Sequence, residues 1–416
     1  MVNSLRMFGS LFTAAFIFLL GNGLLNTLLS ARMAVEGFSA TTTGLVLSSY
    51  YTGLLVGSFV CHRLIQRIGH IRAFTVFAAL TAAAALLYGF CLSSWFWALL
   101  RFSSGVTAFG LFMVIESWLN ECCESHYRGR VFSIYMSLVY MGTGIGQQLL
   151  NVGDIQGQKL FLLAGIVFSL CVVPVSITGG VQPNLPETKP FKFIRILRKA
   201  PLGMLGCFAA GLTNSAFFSM TPVFCTAIGL SLHQLSWIMS ITVFCGLAAQ
   251  WLVGNLSDRF DRAIVLSLVA TAITVVSGIM FINGEPSFGE LSLEMGLFGL
   301  LVFAVYPLSV ARTHDIFGGQ DAVAVSAGLL FAYSIGASIS PLLASGVMAL
   351  LGSPFGLFAF WGINSITLAV VTLYFRKHEK VEQVPLDAQD TCVSMKSTCP
   401  VIMALDPMPD AKVDNQ

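Results

Sequence analysis

The sequence predicts an all-α integral membrane protein of twelve transmembrane helices, arranged as two pseudo-symmetric six-helix bundles. Three observations carry that expectation. Charged residues make up only 10% of the 416 residues, against roughly 25% in an ordinary globular protein. Hydrophobic residues make up 56%, and the mean hydropathy is +0.81. So few charges cannot clothe a surface in water, and lipid must be part of the solvent. Finally, the apolar residues fall into twelve runs, each near the length of about 20 residues that crosses a hydrocarbon core of roughly 30 Å. The net charge of +2 is too small to attract nucleic acid.

The first run, 8–31, is long enough to cross and reads as an uncleaved first span rather than a signal peptide. Runs 43–65, 71–91, 95–118, 130–152 and 160–178 complete a first bundle over residues 1–178. Residues 179–201 hold Pro183, Pro186, Pro190 and Pro201 and read as a cytoplasmic linker. Its basic stretch Phe191–Lys199 suits either a short amphipathic helix on the lipid surface or a tethered loop. Runs 202–226, 233–255, 262–283, 290–312, 322–349 and 355–375 form a second bundle over 202–375. The polar, proline-bearing remainder, 376–416, reads as a disordered cytoplasmic tail.

Orientation follows from Lys and Arg, which accumulate on the cytoplasmic side. With the amino terminus inside, Arg32 and Lys159 fall outside and Arg101 lies within a span. Every other one of the 22 Lys and Arg residues falls in the cytoplasm. Both termini are therefore expected there.

Several chemistries have no candidate residues. The ten Cys include no CxxC pair, and the six His share no ligand spacing, so no metal is expected. The adjacent Cys122 and Cys123 stand alone. Neither a P-loop nor a GxSxG nucleophile is present, so no ATP-hydrolysing or acyl-transfer site is expected, and no cofactor.

The two sets of six runs are nearly equal in length and repeat in sequence. Gly254-Asn-Leu-Ser-Asp258-Arg259-Phe-Asp261-Arg262 follows span 8. The offset that carries Asp258 onto Gln66, after span 2, also carries Gly336 of span 11 onto Gly144 of span 5. Parallel repeats of this kind build two-bundle carriers. On these residues, and on Arg101-Phe-Ser-Ser-Gly105 in span 4, the chain resembles the major facilitator superfamily. Glu116-Ser117-Trp118-Leu119-Asn120, Arg128-Gly129-Arg130 and Tyr306-Pro307 with Ala311 resemble its YcaD-type bacterial carriers. The first copy of the loop signature has His62 and Gln66 where Gly and Asp are usual, and the second has Asp261 in place of Gly.

The resemblance implies a secondary carrier of the bacterial inner membrane that works by alternating access. Proton coupling and export are expected, with a small-molecule substrate and a monomeric chain in the bilayer. The alternatives are a carrier-like sensor and a membrane-embedded enzyme. Spans 1, 4, 7 and 10 line the cavity in that superfamily, which makes Asn22, Asn26, Arg101, Asn214 and Tyr306 substrate contacts. Span 5 adds Gln147 and Asn151 from a polar stripe that runs from Thr143 to Asp154. Gly142 and Gly146 mark its packing face. Arg101 and Glu116 are ionisable groups within a span, which default to function; the resemblance implies a proton-coupling role for Arg101, and Glu116 is expected either to carry a proton or to close a cytoplasmic gate. They stand about 22 Å apart along one helix, too far to pair. Glu121 and Arg128 resemble the spacing at the same loop of facilitative sugar carriers. Together with Glu116, Arg67, Asp258, Arg259 and Arg262 they form the expected gate.

Overall fold

A computed structural model describes residues 2–122, 128–177, 193–284, 286–317 and 322–376. The first half comprises α1 (Val2–Val35), α2 (Ala40–Ile68), α3 (His70–Leu87), α4 (Ser94–Cys122), α5 (Arg128–Gln148), α6 (Lys159–Leu170) and the short α7 (Val172–Ser176). The linker helix α8 (Phe193–Lys199) follows. The second half comprises α9 (Pro201–Ala227), α10 (Leu232–Arg259), α11 (Arg262–Asn283), α12 (Phe288–Phe317), α13 (Ala322–Leu350) and α14 (Gly356–Arg376). The helices match the apolar runs closely. Two differ: the fifth span leaves α-helix at Gln148 and continues as a 3₁₀ turn, Leu149–Val152. The sixth is interrupted at Cys171.

With α6 and α7 taken together as one span, eleven of the described helices are long and apolar enough to cross a membrane. The remaining crossing is α5, whose apolarity is diluted by Thr143, Gln147 and Gln148. The helices alternate in direction, so α2 and α10 end where α1 and α9 begin. This basic end carries Arg67, Arg259, Arg312 and Arg376, and the opposite end is termed the far end. Gly69, at φ 84°, reverses the chain between α2 and α3 within a single residue, a conformation other residues adopt only at a cost.

The repeat is visible in packing. In the first half α1 packs on α5, α2 on α4 and α3 on α6. In the second, α9 packs on α13, α10 on α12 and α11 on α14. The halves meet along α2 with α13, α5 with α10, and α1 with α9. Gly142 and Gly146 do form a packing face: a Cβ at Gly142 would stand 2.9 Å from Leu19 Cβ, and one at Gly146 would strike the Leu20 carbonyl.

Two prolines inside helices create polar atoms that other helices satisfy. Pro307 in α12 has no N–H, which frees the carbonyl of Phe303. Gln250 Nε2 donates to that carbonyl at 3.2 Å and also reaches Tyr140 Oη of the other half at 3.0 Å. Pro341 in α13 likewise frees the carbonyl of Ala337, which accepts from Ser215 Oγ at 2.7 Å. Lipid cannot hydrogen-bond such groups, so protein must.

The linker stretch is helical over Phe193–Lys199. It buries Ile196 and leaves Ile194 exposed, and Lys199 Nζ lies 4.6 Å from the Phe317 ring centroid.

Candidate functional site

Arg101 sits in α4, roughly 10 Å below its far end, and is 3% exposed. Its position follows from Gly105, one turn onward. A Cβ there would collide with the Tyr50 carbonyl of α2, and a Cβ at Gly53 with the Phe102 carbonyl of α4. These glycines let the two backbones touch. Tyr50 is thereby brought under Arg101, with Cζ 4.5 Å from the ring centroid.

Arg101 Nη1 donates to Asn26 Oδ1 at 2.6 Å. Asn26 Nδ2 donates to Asn22 Oδ1 at 3.1 Å, an i,i+4 pair on α1. Tyr50 Oη completes the cluster by donating to Asn22 Oδ1 at 3.4 Å. Among the described residues no carboxylate pairs with Arg101. A charge within a span costs about 2.5–3.5 kcal/mol on insertion scales. A charged hydrogen bond returns about 1.5–3 kcal/mol and a cation–π contact about 0.5–2 kcal/mol. Asn26 and Tyr50 therefore offset most of that cost without neutralising the charge.

The cluster continues across the seam between halves. Tyr50 and Tyr51 meet edge to face, centroids 5.3 Å apart. Tyr51 neighbours Ser215 of α9 and Tyr333 of α13. Tyr333 meets Tyr306 of α12 edge to face at 5.1 Å. Tyr88 stands beside Arg101 and Ser104 on the other flank. An oblique belt thus runs from Arg101 in one half to Tyr306 in the other.

Of the expected contacts, Asn22, Asn26 and Arg101 come together directly, and Tyr306 joins through the belt. Asn214 is 8% exposed, with Oδ1 unpartnered among the described residues. Gln147 is fully buried and neither amide atom finds a partner there. Asn151 is placed elsewhere: its Nδ2 donates to Ser236 Oγ of α10 at 2.9 Å. Beside it Gln148 Nε2 donates to Ser240 Oγ at 2.7 Å. These bonds tie the halves at the far end, where Gly44 of α2 also abuts Pro341 and Ser345 of α13. The reading of the sequence missed Tyr50, Tyr51 and Tyr333, which lie on spans outside the expected lining set. The Tyr50-Tyr51 doublet inside an apolar run was the available signal.

Glu116 is completely buried and accepts from Tyr135 Oη of α5 at 3.2 Å. Its neighbour Ser117 shares a 3.0 Å hydrogen bond with His70 Nε2.

At the basic end the charges assemble within the second half. Arg262 Nη1 pairs with Asp315 Oδ1 at 2.9 Å. Asp261 caps α11 through the Ala263 N–H at 2.9 Å. It also pairs with Arg312 at 3.4 Å and Arg376 at 3.1 Å. Burial raises the Asp261 pKa, but the Ala263 N–H, Arg376 and Arg312 outweigh it and hold the carboxyl below its ordinary range. Asp261, where the loop signature has Gly, is thus a hub joining α11, α12 and α14. Arg67 and Arg259 are exposed and form no ion pair among the described residues. The side chains of Glu121, Cys122, Cys123, Arg128 and Asp258 lie outside the described residues.

Two six-helix halves around a polar cluster at their seam define a polytopic membrane carrier. The profile of the Major Facilitator Superfamily matches residues 11–232 and 204–402. The chain belongs to this superfamily and is a transporter rather than an enzyme. It is 29% identical over 328 residues to the uncharacterized MFS-type transporter YcaD of Salmonella newport (strain SL254), covering 78% of this chain and 84% of that protein. The YcaD of Salmonella typhimurium matches to the same extent. Among solved structures, the nucleoside transporter NupG superposes with a TM-score of 0.70 at 14% identity, over 91% of this chain and 100% of that one. A bacterial homolog of the human lysosomal transporter Spinster, inward-facing and unoccupied, superposes with a TM-score of 0.67 at 13% identity, over 90% and 94%. These two likenesses are of fold.

Proposed function

We propose that this transporter exports a small solute across the bacterial inner membrane in exchange for protons, as a monomer with both termini in the cytoplasm. The belt from Arg101 to Tyr306 carries the reading, because its residues come from both halves and their spacing changes when the halves rock. The strong excess of Lys and Arg at one end supports calling that end cytoplasmic. The hydrogen bonds between halves among the described residues run from Tyr140–Gln250 to the far end, and the ion pairs seen at the basic end among those residues join α11, α12 and α14 of the second half. That distribution supports a resting state open to the cytoplasm.

Glu116 is the one carboxylate in the buried core among the described residues, and it is the proposed proton carrier. Arg101 holds the solute and senses its charge. Proteoliposomes loaded with a pH-sensitive dye test this. A solute library should contain compounds whose addition drives proton flux through the wild type but not through Glu116→Gln. Proton flux that is unchanged in Glu116→Gln, or absent for every solute, would refute coupling through this residue.

A further inference from the structure

We infer that the solute is an amphipathic monocarboxylate, seated with its carboxylate on the Nε–Nη2 edge of Arg101. This rests on the carrier reading above and adds the chemical class of the cargo. The guanidinium is a planar fork with two faces for oxyanions. Among the described residues its hydrogen bond to protein runs from Nη1, to Asn26. Nε is buried without a partner. The side-on edge, Nε with Nη2, is therefore the one left for a ligand, and it is the edge that grips a carboxylate with two parallel bonds.

Orientation is fixed beforehand. Asn22 holds Asn26, Asn26 holds Nη1, and the Tyr50 ring lies against the guanidinium plane. Little rotamer freedom remains to be lost when an anion arrives.

The charge count selects a monoanion. Among the described residues three arginines are buried: Arg32, Arg101 and Arg312. Arg32 pairs with Glu36 at 2.7 Å and Arg312 with Asp261 at 3.4 Å. Of these three, Arg101 alone pairs with no acid among the described residues. One positive charge balances one carboxylate, whereas a phosphate dianion calls for a second cation. The body of the ligand is set by the walls. Tyr50, Tyr51 and Tyr88 surround Arg101, and Tyr333 and Tyr306 extend the surface into the other half. Aromatic faces with hydroxyl edges favour an apolar, planar body over a sugar or a polyamine.

Matched pairs of probes test this on the full-length protein. Benzoate and phenylacetate are compared with benzamide and phenylacetamide, which keep shape but lose charge, and with the dianion phenylphosphonate. Thermal unfolding in detergent reads binding. The expected result is a saturable rise in midpoint with an acid. Its amide should bind at least tenfold more weakly, and the phosphonate more weakly than the acid. Arg101→Lys should lose at least tenfold for the acid, since Lys keeps charge without the fork. The wild-type acid-to-amide comparison stands even where the variant fails to fold. An amide that binds like its acid, a folded Arg101→Lys that binds normally, or no response to either acid would overturn the assignment. Arg101-dependent acid binding without flux in proteoliposomes would instead defeat the carrier reading and leave this one standing. Proton-linked flux of a neutral or cationic solute would do the reverse.

Discussion

Replacing Gln250 by Leu removes two hydrogen bonds of different kinds. The bond to Tyr140 Oη joins the halves at 3.0 Å, and bonds between helices in a membrane contribute about 0.6 kcal/mol on average. The bond to the Phe303 carbonyl, at 3.2 Å, serves a group that Pro307 deprives of its helical donor. Orphaning a buried acceptor costs about 1–3 kcal/mol. Gln250→Leu should therefore destabilise by about 1.6–3.6 kcal/mol in total. Pro307→Ala returns an N–H one turn from Phe303, so the helix can satisfy its own carbonyl. In that background Gln250→Leu should cost only its Tyr140 share, about 0.6 kcal/mol. The predicted coupling between the two positions is about 1–3 kcal/mol, above the scatter of about 0.5 kcal/mol for independent sites. Denaturant unfolding of the four proteins in mixed micelles measures the cycle. Costs that simply add would mean that Gln250 is not the donor on which the proline-freed carbonyl depends.

Gly105→Ala should destabilise by about 1–3 kcal/mol through overpacking, because its Cβ would lie 2.9 Å from the Tyr50 carbonyl carbon and 3.0 Å from Gly53 Cα. Gly278→Ala, with nothing within 4 Å, should be silent in the same melt, and equal effects would show that the α2–α4 contact is not tight. Asp261 has a lowered folded pKa, so its contribution is present above the unfolded value of about 3.9 and is lost as pH falls through the folded value. Asp261→Asn should thus be less stable than the wild type at pH 7, with the gap closing on acidification below about pH 4; a gap that widens in acid would contradict the hub. A cysteine pair at Gln148 and Ser236, which bond across the seam, should cross-link in resting membranes and lock transport, and a failure to cross-link would place the resting closure elsewhere.

Hydropathy fixed the helices because a bilayer imposes one length on every crossing. Periodicity went further for α1, where the i,i+4 pair Asn22 and Asn26 lies on one face and proved to hold Arg101. It could not find Tyr51 beside Ser215 and Tyr333, because contacts between helices depend on crossing angle and register. Of the small residues that set those crossings, Gly105 ends the Arg101–Gly105 motif, but its partner Gly53 looks like ordinary apolar sequence. Asp261 stood out as a departure from the loop signature, yet its partners Arg312 and Arg376 lie far along the chain and only the fold unites them. The rule that Pro307 frees a carbonyl four residues earlier was available from sequence. What satisfies that carbonyl, Gln250 on a neighbouring helix, was not.

Alternating access itself is tested most directly by distances between the halves in lipid. Spin labels carried by unnatural amino acids at Arg67 and Arg259 report the basic end, and labels at Thr41 and His233 report the far end; all four positions are exposed. Double electron–electron resonance should resolve two populations at each end, long at the basic end when short at the far end, with pH shifting both in opposite senses. A single unchanging distance at each end, at every pH and with every acid probe, would contradict a rocking carrier.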